Sequence, residues 1–466
     1  VAVTINTEDN RFWPSVRRSL SGEHIDFTTG SLKMAILLLA IPMVLELSME
    51  SLFAICDIFW VARLGSAATA AVGLTESVMT LFYAVAIGIS MSVTAMVSRR
   101  VGEKDHAGAA AAGAQAVYIA FAVGVVTGIP CFLFADNVLA MMGGDAEVIA
   151  TGTTYLRITL GANVIVLLLF LINAIFRGAG DAALAMRALI LGNCINIVLD
   201  PIFIFGLGPI PPMGVTGAAV ATLTGRTIAV FYQFYALQKG SRLPMSGGAW
   251  KFDLNLTGRL MRLSIGGIAQ FAIATSSWVV LMRLMARFGS EALAGYTIAI
   301  RIIIFTLLPA WGLGNAAATL VGQNLGAGQP ERAEKSVYLT GFYNMAFLVV
   351  VSVSFIFFGG AFVGVFTNET EVIRVGTECL RVLGFGYILY GWGMVLVQAF
   401  NGAGDTMTPT WLNLITFWVV QIPLAWFMTE KIGPAGVYWA VMIADVLLFI
   451  FVLPLFRRGK WKTTLV

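Results

Sequence analysis

The chain has 466 residues, of which 58% are hydrophobic and only 12% charged, whereas soluble proteins carry roughly 25% charged residues. With a mean hydropathy of +0.86, this excludes a soluble domain and points to an integral membrane protein. The net charge of +4 is spread over many short loops instead of one basic stripe, which argues against nucleic acid as a partner.

Residues 1–30 form a polar leader with Arg11, Arg17 and Arg18 and no apolar run, so no cleavable signal pattern is visible in them. Within the leader, RFWPSVRRSL could lie on a membrane surface as a basic amphipathic piece or stay disordered. Beyond it, apolar runs long enough to cross a hydrocarbon core of about 30 Å recur down the chain. Twelve spans are expected, near 34–62, 68–97, 108–134, 150–176, 183–206, 214–237, 258–286, 292–322, 334–358, 374–400, 407–429 and 433–456. Their length excludes a β-barrel, whose segments alternate over about ten residues.

The expected fold is therefore all-α and membrane-integral: a six-helix lobe over 31–238, a Gly-, Lys- and Arg-rich linker over 239–256, a second six-helix lobe over 257–456 and a basic tail over 457–466. Lys and Arg gather in the leader, alternate loops, the linker and the tail, while the opposite loops carry Asp136, Asp145, Glu147, Glu369 and Glu371. The positive-inside rule then puts both termini in the cytoplasm.

The lobes read as copies. RLGS at Arg63 recurs as RFGS at Arg287, and FRGAGD at Phe176 recurs as FNGAGD at Phe400, both at a spacing of 224. Six spans per copy make the repeat parallel, with a pseudo-twofold axis along the membrane normal, an architecture of alternating-access transporters. The FRGAGD and FNGAGD copies lack the Lys and preceding strand of a phosphate loop and read as turns at helix ends.

Span one carries three carboxylates, Glu46, Glu50 and Asp57, which at about 100° per residue share one helical face within about 40°. An acid inside a membrane is a functional hypothesis by default. At the 224 spacing these acids map to Gln270, Ala274 and Leu281, and Asp200 maps to Leu424, so acidity is confined to the first lobe. In span five Asn193, Asn196 and Asp200 share a face, and Pro201 removes a backbone donor and frees a carbonyl one turn earlier. Asp57 and Asp200 each lie about six residues, or roughly 9 Å, from the same end of their spans; Tyr155 and Thr222 fall near that layer.

Two carboxylates within reach in a poorly hydrated cavity will not both stay ionised, whereas a bound cation restores ionisation, so such a pair is a proton or Na⁺ switch. Carboxylates with Asn, Thr and carbonyl oxygens suit a proton or a hard cation. Cys56, Cys131, Cys194 and Cys379 are scattered without a CxxC pair, and His24 and His106 stand alone, so neither a disulfide frame nor a soft-metal site is expected.

PMVLELSMESLFAICDIFWVARLG, the duplicated FRGAGD, and NIVLDPIFIFGLG with GVTGAAVAT resemble prokaryotic MATE (multidrug and toxic compound extrusion) transporters over nearly the whole chain after residue 30. The resemblance implies a first-lobe cavity holding Asp57, Asp200, Asn196, Tyr155, Asn173 and Thr222, with Asp57, Asp200, Asn196, Tyr155 and Thr222 as the cation-coupling set and Asn173 far toward the inner end of span four. It also implies a cation-coupled efflux antiporter, H⁺ before Na⁺, for amphipathic and cationic organic compounds. Na⁺, if used, could be held by Asp57, Asp200 and Asn196; no cofactor is expected. Asn173, Asn193, Glu46 and Glu50 are candidates for the substrate cavity, and Pro42 and Pro201 for hinges, although Pro42 reads first as an ordinary transmembrane kink.

Competing readings make Asp57 and Asp200 a structural ion pair with Arg157, and Glu46 and Glu50 counter-charges for Arg226 in span six and Arg301 in span eight. Glu76 reads the same way, and in span ten Glu378 is spaced to pair with Arg374. A flippase for lipid-linked or polyprenyl intermediates is the alternative function, and it would prefer a cationic cavity. No HExxH, DDxxD or Ser/His pair in the spans suggests an enzyme. The expected setting is a prokaryotic inner membrane, with the protein a monomer in the lipid bilayer.

Overall fold

The computed structural model describes residues 12–22, 25–243, 245 and 247–464; the start of the leader and His24 lie outside them. The described part of RFWPSVRRSL is helical, Phe12–Ser21. Among the described residues every named element is a helix, and Leu207 and Ile210 form an isolated β-bridge in the loop after span five.

In the first lobe, span one is Leu32–Ala62, span two Ser66–Gly102, span three His106–Leu133, span five Ala182–Phe205 and span six Val215–Lys239. Span four is broken into Ala146–Gly161 and Asn163–Ala179, bent by 41°. The second lobe has span seven at Leu254–Met285, span eight at Ser290–Gly326, span nine at Pro330–Gly364, span ten at Thr370–Ala403, span eleven over 407–432 and span twelve at Ala435–Arg457. Span eleven contains a π-helical stretch, Leu414–Gln421. Pro42 and Pro201 sit inside helices that continue past them.

The duplication is visible in the backbone. Spans two and eight begin at Ser66 and Ser290 and end at Gly102 and Gly326, 224 residues apart at both ends. FRGAGD and FNGAGD each close a helix with a left-handed glycine, Gly180 at φ 85° and Gly404 at φ 88°. Gly180 N–H donates to the Arg177 carbonyl and Asp181 N–H to that of Phe176, and Gly404 and Asp405 repeat the pattern on Asn401 and Phe400. A Cβ is disfavoured in that conformation, which is why the motif keeps its glycine.

The lobes meet along a seam in the half of the bundle nearer the termini, and the seam obeys the same symmetry. A Cβ on Gly88 of span two would stand 2.3 Å from Ile268 N, and one on Gly312 of span eight 2.8 Å from Val44 N, each pair being the other shifted by 224. Closer to the termini Gly102 meets the Gln323 carbonyl and Gly326 meets that of Arg99. Across this seam Thr319 Oγ1 donates to the Arg177 carbonyl (3.2 Å) and Gln323 Nε2 to the Gly178 carbonyl (2.9 Å).

Both ends of the chain gather there. Arg242 of the linker pairs with Asp181 (3.0 Å) and lies over the Phe27 ring. Burial lowers its guanidinium below the usual arginine range, while Asp181 and Asp26 oppose that. From the other lobe, Arg332 donates to the carbonyls of Thr29 and Gly30, at 2.9 Å each. Leader residues 25–30 thus touch both lobes. In the tail, Lys462 pairs with Glu334 of span nine.

Candidate functional site

Between the lobes, on the far side of the seam from the termini, lies a cavity of about 490 Å³. Its charged walls come from the first lobe alone: Glu46, Glu50, Asp57, Glu76, Arg177 and Arg226. The second lobe contributes aromatic and amide groups, among them Phe271, Trp311, Asn315, Gln398 and Asn401. A positive group entering it meets acids on one side and rings on the other.

At one end of this cavity Asp57, Tyr155 and Thr222 line the wall, and behind them lie Asp200 and Asn196. Asn196 Nδ2 donates to Asp200 Oδ1 at 3.1 Å and to Thr222 Oγ1 at 2.9 Å, tying span five to span six. Spans one and five pack along each other, which sets Asp57 and Asp200 on neighbouring helices. Asp57 Oδ1, Asp200 Oδ2 and Asn196 Oδ1 are buried without a hydrogen-bond partner. Buried oxygens in this condition are costly unless something binds them, and the donor set suits a proton or a hard cation. Five of the six residues implied by the resemblance therefore come together.

The sixth does not join them. Asn173 lies at the other end of the cavity, about 16 Å away along the span-one axis, donating to Glu46 Oε1 (3.1 Å) and accepting from Gln233 (2.7 Å). Asn193 is buried off the cavity wall and donates to Glu50 Oε2 at 3.1 Å.

The ion pairs differ in part from those expected. Glu50 has Arg226 at 3.7 Å, but Glu46 pairs with Arg177 at 2.8 Å, not with Arg226 or Arg301. Arg157 stands apart from Asp57 and Asp200: it is bonded to the Phe132 carbonyl and lies 3.5 Å from Asp136. Arg374 has both Glu371 and Glu378 as partners.

Arg177 is a site residue that its motif conceals, because FRGAGD reads as a turn while its arginine reaches the cavity. The signal lay in the repeat. At the 224 spacing Glu46 and Arg177 become Gln270 and Asn401, and these two amides face each other through reciprocal bonds of 3.2 and 3.1 Å. One contact is thus kept in both lobes, ionic in the first and neutral in the second.

With this geometry in place, the likeness to known proteins is informative. The MatE family model matches twice, over residues 42–202 and 268–427, once in each lobe. Among curated relatives, the probable multidrug resistance protein NorM of Thermotoga maritima is 26% identical, covering 91% of this chain and 92% of that protein. The multidrug export protein MepA of Staphylococcus aureus is 23% identical, over 88% and 90%. A solved structure described as the outward-facing conformation of a multidrug resistance MATE family transporter matches with TM-score 0.87 at 26% identity, over 94% of this chain and 98% of that one. Another, a MOP superfamily transporter from Pyrococcus furiosus described as having a reverse polarity of binding pocket, gives TM-score 0.88 at 25% identity, again over 94% and 98%. Twelve spans in two pseudo-symmetric lobes, a cavity between them and a family match in each copy lead to one conclusion: the chain belongs to the MatE family of membrane transporters and is not an enzyme.

Proposed function

We propose that this chain is a cation-coupled efflux antiporter that expels amphipathic organic cations by alternating access, with H⁺ the favoured coupling ion over Na⁺. The observation that carries this reading is the division of the cavity walls: every charged lining residue belongs to the first lobe, four acids against two arginines, facing the aromatic and amide wall of the second. A flat cation with an apolar body fits such a cavity through charge on one face and ring contact on the other. The relatives named for multidrug resistance or export support the same class of cargo. A flippase for lipid-linked intermediates, whose head groups are anionic, would want the opposite charge balance.

Asp57 and Asp200 carry the coupling ion, held with Asn196, Tyr155 and Thr222, and the three unpartnered oxygens supply its acceptors. A proton needs only one of the carboxylates, whereas Na⁺ needs several oxygens at once. Cargo and coupling ion bind opposite conformations of the two lobes, so each favours the state that releases the other. The working protein is a monomer in a prokaryotic inner membrane with both termini in the cytoplasm, and the cavity then opens outward. Glu46, Glu50 and Asn173 contact cargo, and Asn193 orients Glu50.

The test is ethidium efflux from proteoliposomes under a pH gradient or a Na⁺ gradient imposed separately. Uphill efflux driven by the pH gradient is expected, and Asp57→Asn should abolish it while the protein still inserts and purifies as a monodisperse species. Equal uphill efflux by Asp57→Asn would sink the assignment.

A further inference from the structure

We propose that Arg177 is a tethered counter-cation that takes Glu46 away from the cargo when the seam on the termini side closes, making Glu46–Arg177 the link between the cavity and the seam. This rests on the efflux reading above. Three observations place the pair there. Glu46 is a cavity-lining acid only 3% exposed, whose Oε1 is held by Arg177 and Asn173 while Oε2 is buried and unpartnered. Arg177 sits in the last turn of span four, where its own carbonyl accepts Thr319 Oγ1 of the other lobe and the next carbonyl accepts Gln323. The third observation is the internal comparison: the equivalent contact in the second lobe, Gln270–Asn401, has the same partners without the charge.

A neutral amide pair therefore satisfies the packing of this position, so the charge on the first-lobe pair serves something besides the fold. One end of Arg177 reports the seam and the other occupies a carboxylate that an organic cation would seek. When the seam is formed, as here, the guanidinium already stands at Glu46, and a cationic cargo must leave toward the open side. When cargo holds Glu46, Arg177 loses its counter-charge, and the turn that carries the Thr319 and Gln323 acceptors loses its brace. The coupling is reciprocal: what disfavours cargo in the seam-closed state disfavours the seam in the cargo-bound state. Arg177 is a positioning residue for the conformational step and does not itself carry the cargo.

The experiment measures the separation of Ser66→Cys and Ser290→Cys spin labels, both exposed at the far-side ends of spans two and eight. The four native cysteines are replaced by alanine, and the protein is reconstituted in lipid with and without saturating ethidium. In the parent, ethidium should lower the far-side-open population relative to the closed one by about fivefold or more. The double variant E46Q/R177N, which copies the second-lobe pair, should show no ethidium-induced shift at saturation. Thr319→Val, which removes a seam donor and leaves the cavity charges in place, should lower the open population without ethidium by up to about fivefold. A parent-like shift in E46Q/R177N, or an unchanged distribution in Thr319→Val, overturns the link while leaving the efflux reading intact. A parent that binds ethidium with no shift overturns it also. A parent that neither binds nor exports ethidium removes the efflux reading and the link together.

Discussion

The seam offers the sharpest mechanical test. Replacing Gly88 with alanine places a methyl group 2.3 Å from Ile268 N and 2.6 Å from Ile268 Cα, against the 3.4 Å at which such contacts become ordinary. The shortfall is about 1 Å, and because the obstructing atoms are backbone, no rotamer change relieves it; span two and span seven must separate. Overpacking of this kind costs about 1–3 kcal/mol, and since this cost falls only on the state in which the seam is closed, each 1.4 kcal/mol moves the balance of states tenfold. Gly88→Ala should therefore cut the far-side-open population by about tenfold. Gly312→Ala, the symmetry-related change, meets Val44 N at 2.8 Å and should do so by a smaller factor. The assay is the distance distribution between labels at Ser66→Cys and Ser290→Cys. An unchanged distribution in Gly88→Ala, with the protein still monodisperse, would refute the claim that this contact bears the closed seam.

Lys104 is the one non-glycine residue with positive φ, 63°, among the described residues, and its copy in the second lobe is Gly328 at φ 70°. Lys104→Gly should stabilise the protein by roughly 0.5–1 kcal/mol, seen as a higher midpoint of unfolding in SDS titration; a lower midpoint would show that the lysine side chain contributes more than its backbone costs. Tyr118 Oη donates to the Trp250 carbonyl at 2.6 Å and pins the linker to the first lobe. Tyr118→Phe should loosen it by about 1 kcal/mol, measured as faster tryptic cleavage at Lys251, and an unchanged rate would place the restraint elsewhere. Arg157→Ala should leave efflux near parental level, because its partner Asp136 belongs to an exposed pair. Loss of transport would revive the structural ion pair with Asp57.

Much of the architecture was legible because lipid makes it so: an apolar run of some 20 residues has few alternatives to a spanning helix. Span six is the weak case. Arg226, Gln233 and a run of threonines lower its hydropathy, and by length and composition alone ten single helices and one bent pair pass as spans, without Val215–Lys239. It still crosses, because Arg226 faces the cavity between the lobes and Gln233 bonds to Leu169 and Asn173 of span four, so neither meets hydrocarbon. The break in span four was not legible: Gly161 and Asn163 flank it, but without a proline their dip in hydropathy is no larger than single polar residues make inside unbroken spans. At the site, Asp57, Asp200 and Asn196 could be found from spacing and depth because each stands on one long helix. The Glu46–Arg177 pair joins spans one and four across 131 residues, and only comparison of the two copies position by position, Glu with Gln and Arg with Asn, carries its trace.

The leader has a mechanical consequence. Residues 25–30 are fastened at one end by Arg242, whose partners Asp181 and the Phe27 ring are buried, and at the other by Arg332, which grips three backbone carbonyls at an exposed position. Two lobes that rocked apart as proposed above would not both keep so short a tie. In that motion the Arg332 end, bonded to backbone carbonyls at a more exposed position, is the cheaper to break, and the leader would then stay with the first lobe. On that reading, removing residues 25–30 takes away a tie that joins Asp181 of one lobe to Arg332 of the other through the linker residue Arg242.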